Sequence, residues 1–340
     1  MTTASASHVG LTSRADAPDA GATPPATPDA AETQIGPPGE DFLDHQGLGE
    51  KIAALFVVIA PFIALGAAIA LSWGWGFSWT YAALLVGGYF LTAVGVTVGY
   101  HRYFTHRSFK TNGVVTAILA FLGSTSVEGS PIKWAAMHRC HHQHSDHEND
   151  PHSPHHHGGG VMGVLKGFFH AHMGWIFRGD PKDLDRYNPD LRADKVTAVM
   201  SRYWTVWAVL GFVIPAVLGG LLTWSWTGVL LGFLWGGLVR LLLVHHITWS
   251  INSVCHIWGT RPFKSNDESR NNAIFGILGL GEGWHNNHHA FPTSARHGLR
   301  WWEFDASYLI IRAMGLVGLA YDIKVPDRQR LAAKMNPSRS

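Results

Sequence analysis

Two short stretches of the sequence, HRCHH at 138–142 and GEGWHNNHHAFP at 281–292, each contain three histidines in the spacing H-x-x-H-H. On a helix, residues i, i+3 and i+4 lie on one face. Two such helices that face each other would present six imidazoles to one cavity. The six residues are His138, His141 and His142 in the first stretch and His285, His288 and His289 in the second.

Further histidines follow two apolar segments. His101 and His106 lie in HRYFTH, and Asn252 and His256 lie in NSVCH. Nine imidazoles exceed the needs of one metal ion and suit two ions with four or five ligands each. Imidazole binds iron, zinc, copper and nickel, whereas structural zinc usually takes four ligands that often include Cys. The histidines therefore favour oxidative chemistry at a pair of metal ions. They do not determine which metal is bound.

Four apolar runs must position these histidines. They span residues 52–72, 79–99, 204–224 and 227–250. About 20 residues, each rising about 1.5 Å, cross a hydrocarbon layer of about 30 Å. The chain is only 15% charged, against about 25% in an ordinary soluble domain. We predict an all-α integral membrane protein with four transmembrane helices in two hairpins and a helical cap that holds the histidines.

The charged residues predict the orientation in the membrane. Of the 26 Lys and Arg residues, only Arg240 lies within either predicted hairpin. Short positively charged loops remain on the cytoplasmic side. We therefore expect both termini, the segment 100–203 and the histidine-rich cap on the cytoplasmic side.

The apolar pattern also divides the chain. Residues 1–45 are rich in Ala, Thr, Pro, Gly and Asp and contain no apolar run, which predicts a disordered N-terminal tail and no signal peptide. Residues 46–325 form the predicted membrane domain, and residues 326–340 a C-terminal tail. The two cysteines, Cys140 and Cys255, are expected to be reduced thiols.

The order HRYFTH, HRCHHQHSDHENDPHSP, NSVCH and GEGWHNNHHAFP resembles the membrane-bound fatty acyl desaturases, in particular their delta-9, stearoyl-CoA desaturase-like group of bacterial type. The likeness extends from about residue 50 to 325 and includes HMGWIF and RPFKSNDESRNN. It implies a four-helix membrane stem and a cytoplasmic cap that holds two Fe²⁺ ions.

The resemblance implies a ligand role for each matching histidine. One iron ion would bind His101, His106, His138, His142 and His288. The other would bind His141, His256, His285 and His289, and a water molecule held by Asn252. This division agrees with helix geometry, because positions i and i+4 point to one ion and position i+3 points to its neighbour in both motifs.

The implied reaction is the O₂-dependent removal of two hydrogens from a saturated acyl chain, which introduces a cis double bond, expected at the delta-9 position, in unsaturated fatty acid biosynthesis. Two electrons would come from a separate ferredoxin- or cytochrome-type donor with its reductase, since the sequence shows no haem- or flavin-binding domain. A narrow apolar tunnel would select the carbon pair by its depth.

The substrate carrier is left open between CoA, a lipid and a carrier protein. Arg178 in WIFRGD is a candidate for binding the head group. Animal acyl-CoA enzymes, however, carry charged residues where this sequence has Ala136 and Met137, and a base where it has Gly179. Fewer phosphate-binding charges weaken the assignment to acyl-CoA.

Some residues near the motifs are candidate partners of the ligands. Metal-binding histidines usually donate their other ring N–H to a carboxylate, a carbonyl or water. The candidates for this second role are Glu282, Asp146, Asp150, His152 and His172.

Two other functions remain as alternatives. A related membrane di-iron hydroxylase of fatty acyl or alkyl chains would begin with the same hydrogen abstraction and yield an alcohol. A histidine-rich metal transporter or sensor would need ligands along the spans, where only Arg240, His245 and His246 are polar enough. Neither composition nor charge suggests a nucleic-acid partner.

Overall fold

The computed structural model describes residues 42–73 and 78–336. Residues 1–41 of the predicted tail, residues 74–77 and residues 337–340 lie outside the described part. Within it the regular structure is helical, and extended segments pair only through isolated bridges. The helices are α1 Leu48–Ser72, α2 Trp79–Thr105, α3 Gly113–Ser124, α4 Pro131–His144, α5 Gly160–His172, α6 Pro189–Ala193, α7 Lys195–Arg202, α8 Trp204–Thr223, α9 Trp226–Ile257, α10 Ala273–Leu278, α11 His285–Ala290, α12 Ala306–Leu316 and α13 Arg328–Lys334. Short 3₁₀ turns occur at Gly174–Phe177 and Leu184–Tyr187.

Four of these helices, α1, α2, α8 and α9, are long and apolar enough to cross a membrane. The predicted all-helical class with four such helices is confirmed. Helix α2 continues six residues past the predicted boundary at 99, and α9 continues seven residues past 250. An apolar run ends at the first polar cluster, but the helix does not, because polar side chains there are satisfied within the protein.

The two later spans pack closely through small residues. A Cβ atom on Gly219 of α8 would lie 2.2 Å from the carbonyl oxygen of Gly228 in α9. Small residues allow such close backbone approach between membrane helices. Nearby, the buried Arg240 of α9 donates to Thr92 Oγ1 (3.0 Å) and to the carbonyls of Thr125 (2.7 Å) and Gly211 (3.2 Å). These bonds link three spans to the end of α3.

The last turns of α2, Gly95–Thr105, are π-helical. The amide of His106 donates to the carbonyl of His101 at 3.2 Å, an i→i+5 bond. Single π-turns inserted in α-helices often occur at functional sites. Here the wider turn brings two histidines five residues apart to the same side of the helix.

Helices α4 and α11 carry the two H-x-x-H-H motifs, as predicted from spacing. Helix α4 has Pro131 at its start, and Ser130 caps it by accepting from the Lys133 amide (3.1 Å). Both residues are typical of a helix N-terminus. In the segment expected to be a C-terminal tail, α13 lies against α11, since Lys334 Nζ donates to the Ala290 carbonyl at 2.7 Å.

Candidate metal centre

Five histidines from α2, its following turn, α4 and α11 converge in one group, in which His101 and His288 are buried and the other three are partly buried. Their donor nitrogens all lie within 4.8 Å of one another. The Nε2 atoms of His288 and His142 are 2.9 Å apart, those of His101 and His288 are 3.0 Å apart, and those of His142 and His138 are 3.1 Å apart. The first histidine group consists of His101, His106, His138, His142 and His288.

These nitrogen separations fit a metal ion. Imidazole binds zinc at about 2.0–2.1 Å, and two ligands at right angles on such bonds lie about 3 Å apart. The atoms that face one another are ring nitrogens of imidazoles, which is the donor set that suits iron, zinc, copper or nickel. The first histidine group is therefore suited to hold a transition-metal ion.

A second histidine group of four lies beside the first. It is built from α4, α9 and α11, and its donor nitrogens also lie within 4.8 Å of one another. The Nε2 atoms of His256 and His285 are 3.0 Å apart. The group consists of His141, His256, His285 and His289. In both motifs the i+3 histidine contributes to the group opposite that of its i and i+4 neighbours, so each motif helix serves both groups.

Three carboxylates orient the second histidine group. Asp150 accepts from His141 Nδ1 at 3.0 Å, and Asp146 accepts from His256 Nδ1 at 2.8 Å. Both aspartates are sequence candidates for this contact. Such a bond fixes the tautomer and leaves Nε2 as the metal-facing nitrogen. The Nε2 atom of His141 is buried and has no hydrogen-bond partner within the described part of the chain.

The third carboxylate, Asp267, is absent from the sequence candidates. Its Oδ2 lies 2.6 Å from His289 Nδ1. Burial alone would raise the pKa of Asp267, but the adjoining His289 ring outweighs this and holds the carboxyl pKa below its usual range. The same balance, with His141 as the partner, lowers the pKa of Asp150. Both acids are therefore carboxylates that can accept from a ligand histidine.

Glu282 performs the corresponding role in the first histidine group. Its Oε2 lies 2.5 Å from His101 Nδ1, and its Oε1 lies 3.2 Å from the guanidinium of the fully buried Arg102. Arg102 also donates to Asp305 at 3.0 Å. Burial raises the pKa of Glu282 to about 7, although Arg102 acts in the opposite direction. The carboxyl group of Glu282 thus lies between a ligand candidate and a buried cation.

Four of the clustered imidazoles on α4 and α11 are held neutral by their surroundings. Burial lowers the pKa of His142 and His288 well below the usual value, and neighbouring histidine rings lower it further. The same causes lower the pKa of His138 and His285. A neutral imidazole has a free lone pair, which metal binding requires.

A cavity of about 750 Å³ leads from the surface to both histidine groups. Its lining includes His101 and His138 of the first histidine group and His285 of the second, with Asn252 and Glu282. Apolar and aromatic side chains also line it, among them Trp134, Trp249, Val96, Ile251 and Met137. The outer end carries the exposed Asp44, His45 and Glu50, with Gln46, Lys133 and Asp180 beside them. A volume of this size suits one flexible apolar ligand.

The remaining sequence candidates lie at different distances from the groups. Asn252 lines the cavity, as does His152, whose ring centroid is 4.3 Å from that of His141. The structure does not bring His172 into either group, since its ring nitrogens pair with Ser253 (3.0 Å) and His246 (2.9 Å). Arg178 precedes the mouth residues 179 and 180 and is not itself a lining residue.

One buried histidine of this region was missed. His297 is fully buried, and its ring centroid lies 4.5 Å from that of His288. It belongs to neither motif and to no repeated spacing. Its only signal in the sequence is its position eight residues after the second motif.

Residues 77–323 match the family model described as fatty acid desaturase. The chain belongs to this family. The same residues contain the nine clustered histidines, so the histidine groups are part of the family domain. An oxidoreductase that acts on fatty acyl chains is therefore the class of this protein, and the four apolar helices are those of a membrane desaturase.

Named relatives cover most of the chain. The hex-5-enoyl-[acyl-carrier protein] acetylenase of Moorena producens (strain JHB) is 43% identical over 85% of this chain and 90% of its own length. The sn-1 stearoyl-lipid 9-desaturase of Anabaena variabilis is 35% identical over 83% and 93%, and the acyl-CoA C20 Delta5-desaturase of Anemone leveillei is 38% identical over 74% and 76%. The three names carry three different acyl carriers, so likeness alone does not select one.

Proposed function

We propose that this protein is an O₂-dependent desaturase that introduces a cis double bond, at the delta-9 position, into an acyl chain carried by a membrane lipid. The observation that carries the proposal is the position of the cavity. Apolar and aromatic side chains form much of its lining, and members of both histidine groups line it too, as a tunnel for an unactivated hydrocarbon requires. The named delta-9 acyl-lipid relatives support the position and the carrier.

Two iron ions are the proposed cofactors. The first histidine group would hold one ion and the second histidine group the other, with Asn252 directed at a water ligand of the second. All nine donors would be histidine side chains with no carboxylate among them, so the ions would keep most of their charge. Bound iron would supply the activation of O₂ and the removal of the two hydrogen atoms.

The residues of the chain would place the substrate and exclude water. Trp134 stacks on His138 at 5.0 Å between ring centroids, and Trp249 stacks on His245 at 4.8 Å. Both tryptophans line the cavity. Rigid aromatic walls next to the histidines would hold a methylene chain in one path, so that one carbon pair faces the metal centre. Positioning of this kind accounts for much of the rate gain in enzymes.

The cavity mouth favours a lipid over a phosphate-rich carrier. Three carboxylates, those of Asp44, Glu50 and Asp180, face it, and its one lysine, Lys133, pairs with Asp180 at 2.6 Å. The phosphates of CoA would meet net negative charge there. One wall is formed by Ala53, Ala54 and Val57 of α1. A cavity walled by a membrane span suits a substrate that enters from the bilayer.

The charge distribution supports a cytoplasmic cap and cytoplasmic termini. We further propose that the electrons come from a separate carrier protein of the ferredoxin or cytochrome type. The ligand candidates lie in the cap and at the cap ends of α2 and α9, where a protein partner on that side would approach them.

Lipid analysis of a host that expresses the protein tests the proposal. We expect a new cis-9 monounsaturated chain at a defined glycerol position, dependent on O₂, and no product from a His285→Ala variant expressed at the same level. Purified protein should contain about two irons. Full iron loading without any double bond in lipid, CoA or carrier-protein substrates would overturn the proposed function.

A second product class has an observation in its favour. The relative from Moorena producens is named an acetylenase, which forms a triple bond. Mass spectrometry of the same lipids separates an alkene from an alkyne and from the alcohol that a hydroxylase would leave. An alkyne formed from an added monounsaturated chain would assign the acetylenase reaction.

A further inference from the structure

His297 is a buried histidine that belongs to neither histidine group. Its side chain is fully buried, and neither ring nitrogen has a hydrogen-bond partner among the described residues. Its Nδ1 atom lies 3.5 Å from Oε2 of Glu282. Its ring centroid lies 5.3 Å from that of His101 and 4.5 Å from that of His288. Burying an unpartnered polar ring costs free energy, so its retention here requires a reason.

The backbone of His297 is fixed from both sides. Its amide donates to Asp305 Oδ2 at 2.7 Å, and its carbonyl accepts from Asn287 Nδ2 at 2.8 Å. Asp305 also accepts from Arg102, which follows His101, and Asn287 precedes His288. The imidazole is thus held in a set position relative to two members of the first histidine group.

A third metal position at this place is disfavoured. His101, Glu282 and His297 have donor atoms within 4.8 Å of one another, and two histidines with one carboxylate are a known iron-binding set. However, the guanidinium of Arg102 lies 3.2 Å from Glu282 and is fully buried. A metal cation would meet this fixed positive charge. His297 is also outside the five residues whose nitrogens converge in the first histidine group.

We propose that His297 is a positioning residue, which holds the Glu282 side chain against His101 through the 3.5 Å polar contact between its Nδ1 atom and Oε2 of Glu282. Glu282 accepts from His101 Nδ1, so the proton of that ring stays on Nδ1 and Nε2 faces the first histidine group. Without His297, Glu282 can turn towards Arg102 alone, and the orientation of His101 is lost. The inference deepens the proposed function, because it rests on metal binding by the first histidine group.

The test measures metal binding in place of desaturation. Purified His297→Leu and His297→Gln variants are titrated with a chelator, and retained iron is measured together with the Mössbauer spectrum. Leucine cannot donate to Glu282, whereas glutamine can. We expect one of the two irons of His297→Leu to be released about 10-fold more readily, as for other contacts behind a metal ligand. His297→Gln should retain both ions.

Glu282→Gln should release the same iron as His297→Leu. The His297→Leu/Glu282→Gln double variant should release that iron no more readily than the more severe of the two single variants.

Two controls separate this effect from general damage. Asp267→Asn should weaken the other iron, with a different spectral component lost. His170→Gln changes a buried histidine that belongs to neither group and whose ring centroid lies 4.9 Å from that of His157, and it should leave both irons unchanged. Should His297→Leu fail to fold, His297→Ala with added imidazole replaces it, and metal retention should return on addition.

Several outcomes would overturn the proposal. They are equal metal affinity in wild type and His297→Leu, equal loss in the Leu and Gln variants, and failure of imidazole to restore His297→Ala. A wild-type protein that binds two irons and forms no double bond would instead defeat the proposed function and leave the role of His297 standing.

Discussion

The Nδ1 atom of His289 lies 2.6 Å from Oδ2 of Asp267, a residue of the irregular segment between α9 and α10. This contact completes a set of three, since Asp150 and Asp146 hold His141 and His256 in the same way. A carboxylate behind a ligand fixes the direction of the ring and raises its basicity. The second histidine group is therefore oriented by negative charge on three of its four members.

Replacement of Asp267 by Asn should weaken metal binding by the second histidine group. The amide keeps the shape but removes the charge that holds His289, so we expect the affinity for one metal ion to fall about 10- to 100-fold. The change in affinity is measured by mass-spectrometric metal analysis after treatment with increasing concentrations of a chelator.

Asp322→Asn is the matched control, because Asp322 lies at the surface and pairs with the exposed Lys110 at 3.0 Å. Loss of metal from both variants alike, or from neither, would contradict an orienting role for Asp267.

The clustering of the nine histidines could be predicted from the sequence, because H-x-x-H-H spacing places six of them on two helix faces and the other three follow apolar spans. Their ligand role stays a prediction. The partners Asp267 and His297 could not be found in this way. Each belongs to an irregular segment, where side-chain direction follows from tertiary packing and no periodicity records it. The membrane spans were likewise predicted from apolar runs, but the histidine-bearing ends of α2 and α9 were not.

The end of α2 shows why. An apolar count places the end near residue 99, whereas the helix continues to Thr105 with π-turns. The five-residue spacing of HRYFTH fits this geometry, since the His106 amide donates to the His101 carbonyl. On an α-helix, residues five apart point in different directions. The five-residue spacing can be read from the sequence, but the π-turn that places both histidines on the same side of the helix cannot.

Arg240 should be essential for the stability of the membrane spans. Arg240→Leu leaves the Thr125 and Gly211 carbonyls and the Thr92 hydroxyl without this donor inside the bundle. Each buried group that loses its partner costs about 1–3 kcal/mol. We expect a loss of several degrees in the thermal midpoint measured in detergent.

Arg240→Lys should recover only part of that loss, because an ammonium cannot reproduce the fork geometry of a guanidinium. Arg312→Leu removes a charge from the exposed side of α12 and should leave the midpoint unchanged. A wild-type midpoint in Arg240→Leu would show that the network does not stabilise the bundle.

Glu128 should make stability depend on pH. Burial raises the pKa of this carboxyl from 4.5 to about 7, although the Trp134 indole, which donates to it at 2.9 Å, acts in the opposite direction. A raised pKa means that the protonated form is favoured on folding. The contribution is therefore complete below pH 4.5 and is lost as the pH rises through about 7. At alkaline pH the loss is at most about 3 kcal/mol, since each pKa unit corresponds to about 1.4 kcal/mol.

The Glu128→Gln variant isolates this effect. The amide keeps an acceptor for Trp134 and cannot ionise. The thermal midpoint of wild type should fall relative to that of Glu128→Gln between pH 5 and 8, with the two nearest at the acid end. Parallel pH profiles for the two proteins would contradict ionisation of Glu128 in this range.

The charge at the cavity mouth should decide how well phosphate-rich substrates are used. Asp44 and Glu50 are exposed there and lie on the side where a head group must remain. In Asp44→Lys/Glu50→Lys the phosphates of acyl-CoA would meet two ammonium groups in place of two carboxylates. Surface ion pairs contribute about 0.2–1 kcal/mol each, so KM for acyl-CoA should fall about fivefold, with kcat nearly unchanged because the histidine groups are untouched. The decrease in KM should become smaller as salt screens these contacts.

Asp322→Lys/Glu148→Lys makes the same change in net charge away from the mouth and should leave KM as in wild type. If both double variants lower KM equally, the effect is one of overall charge and the mouth does not select the carrier.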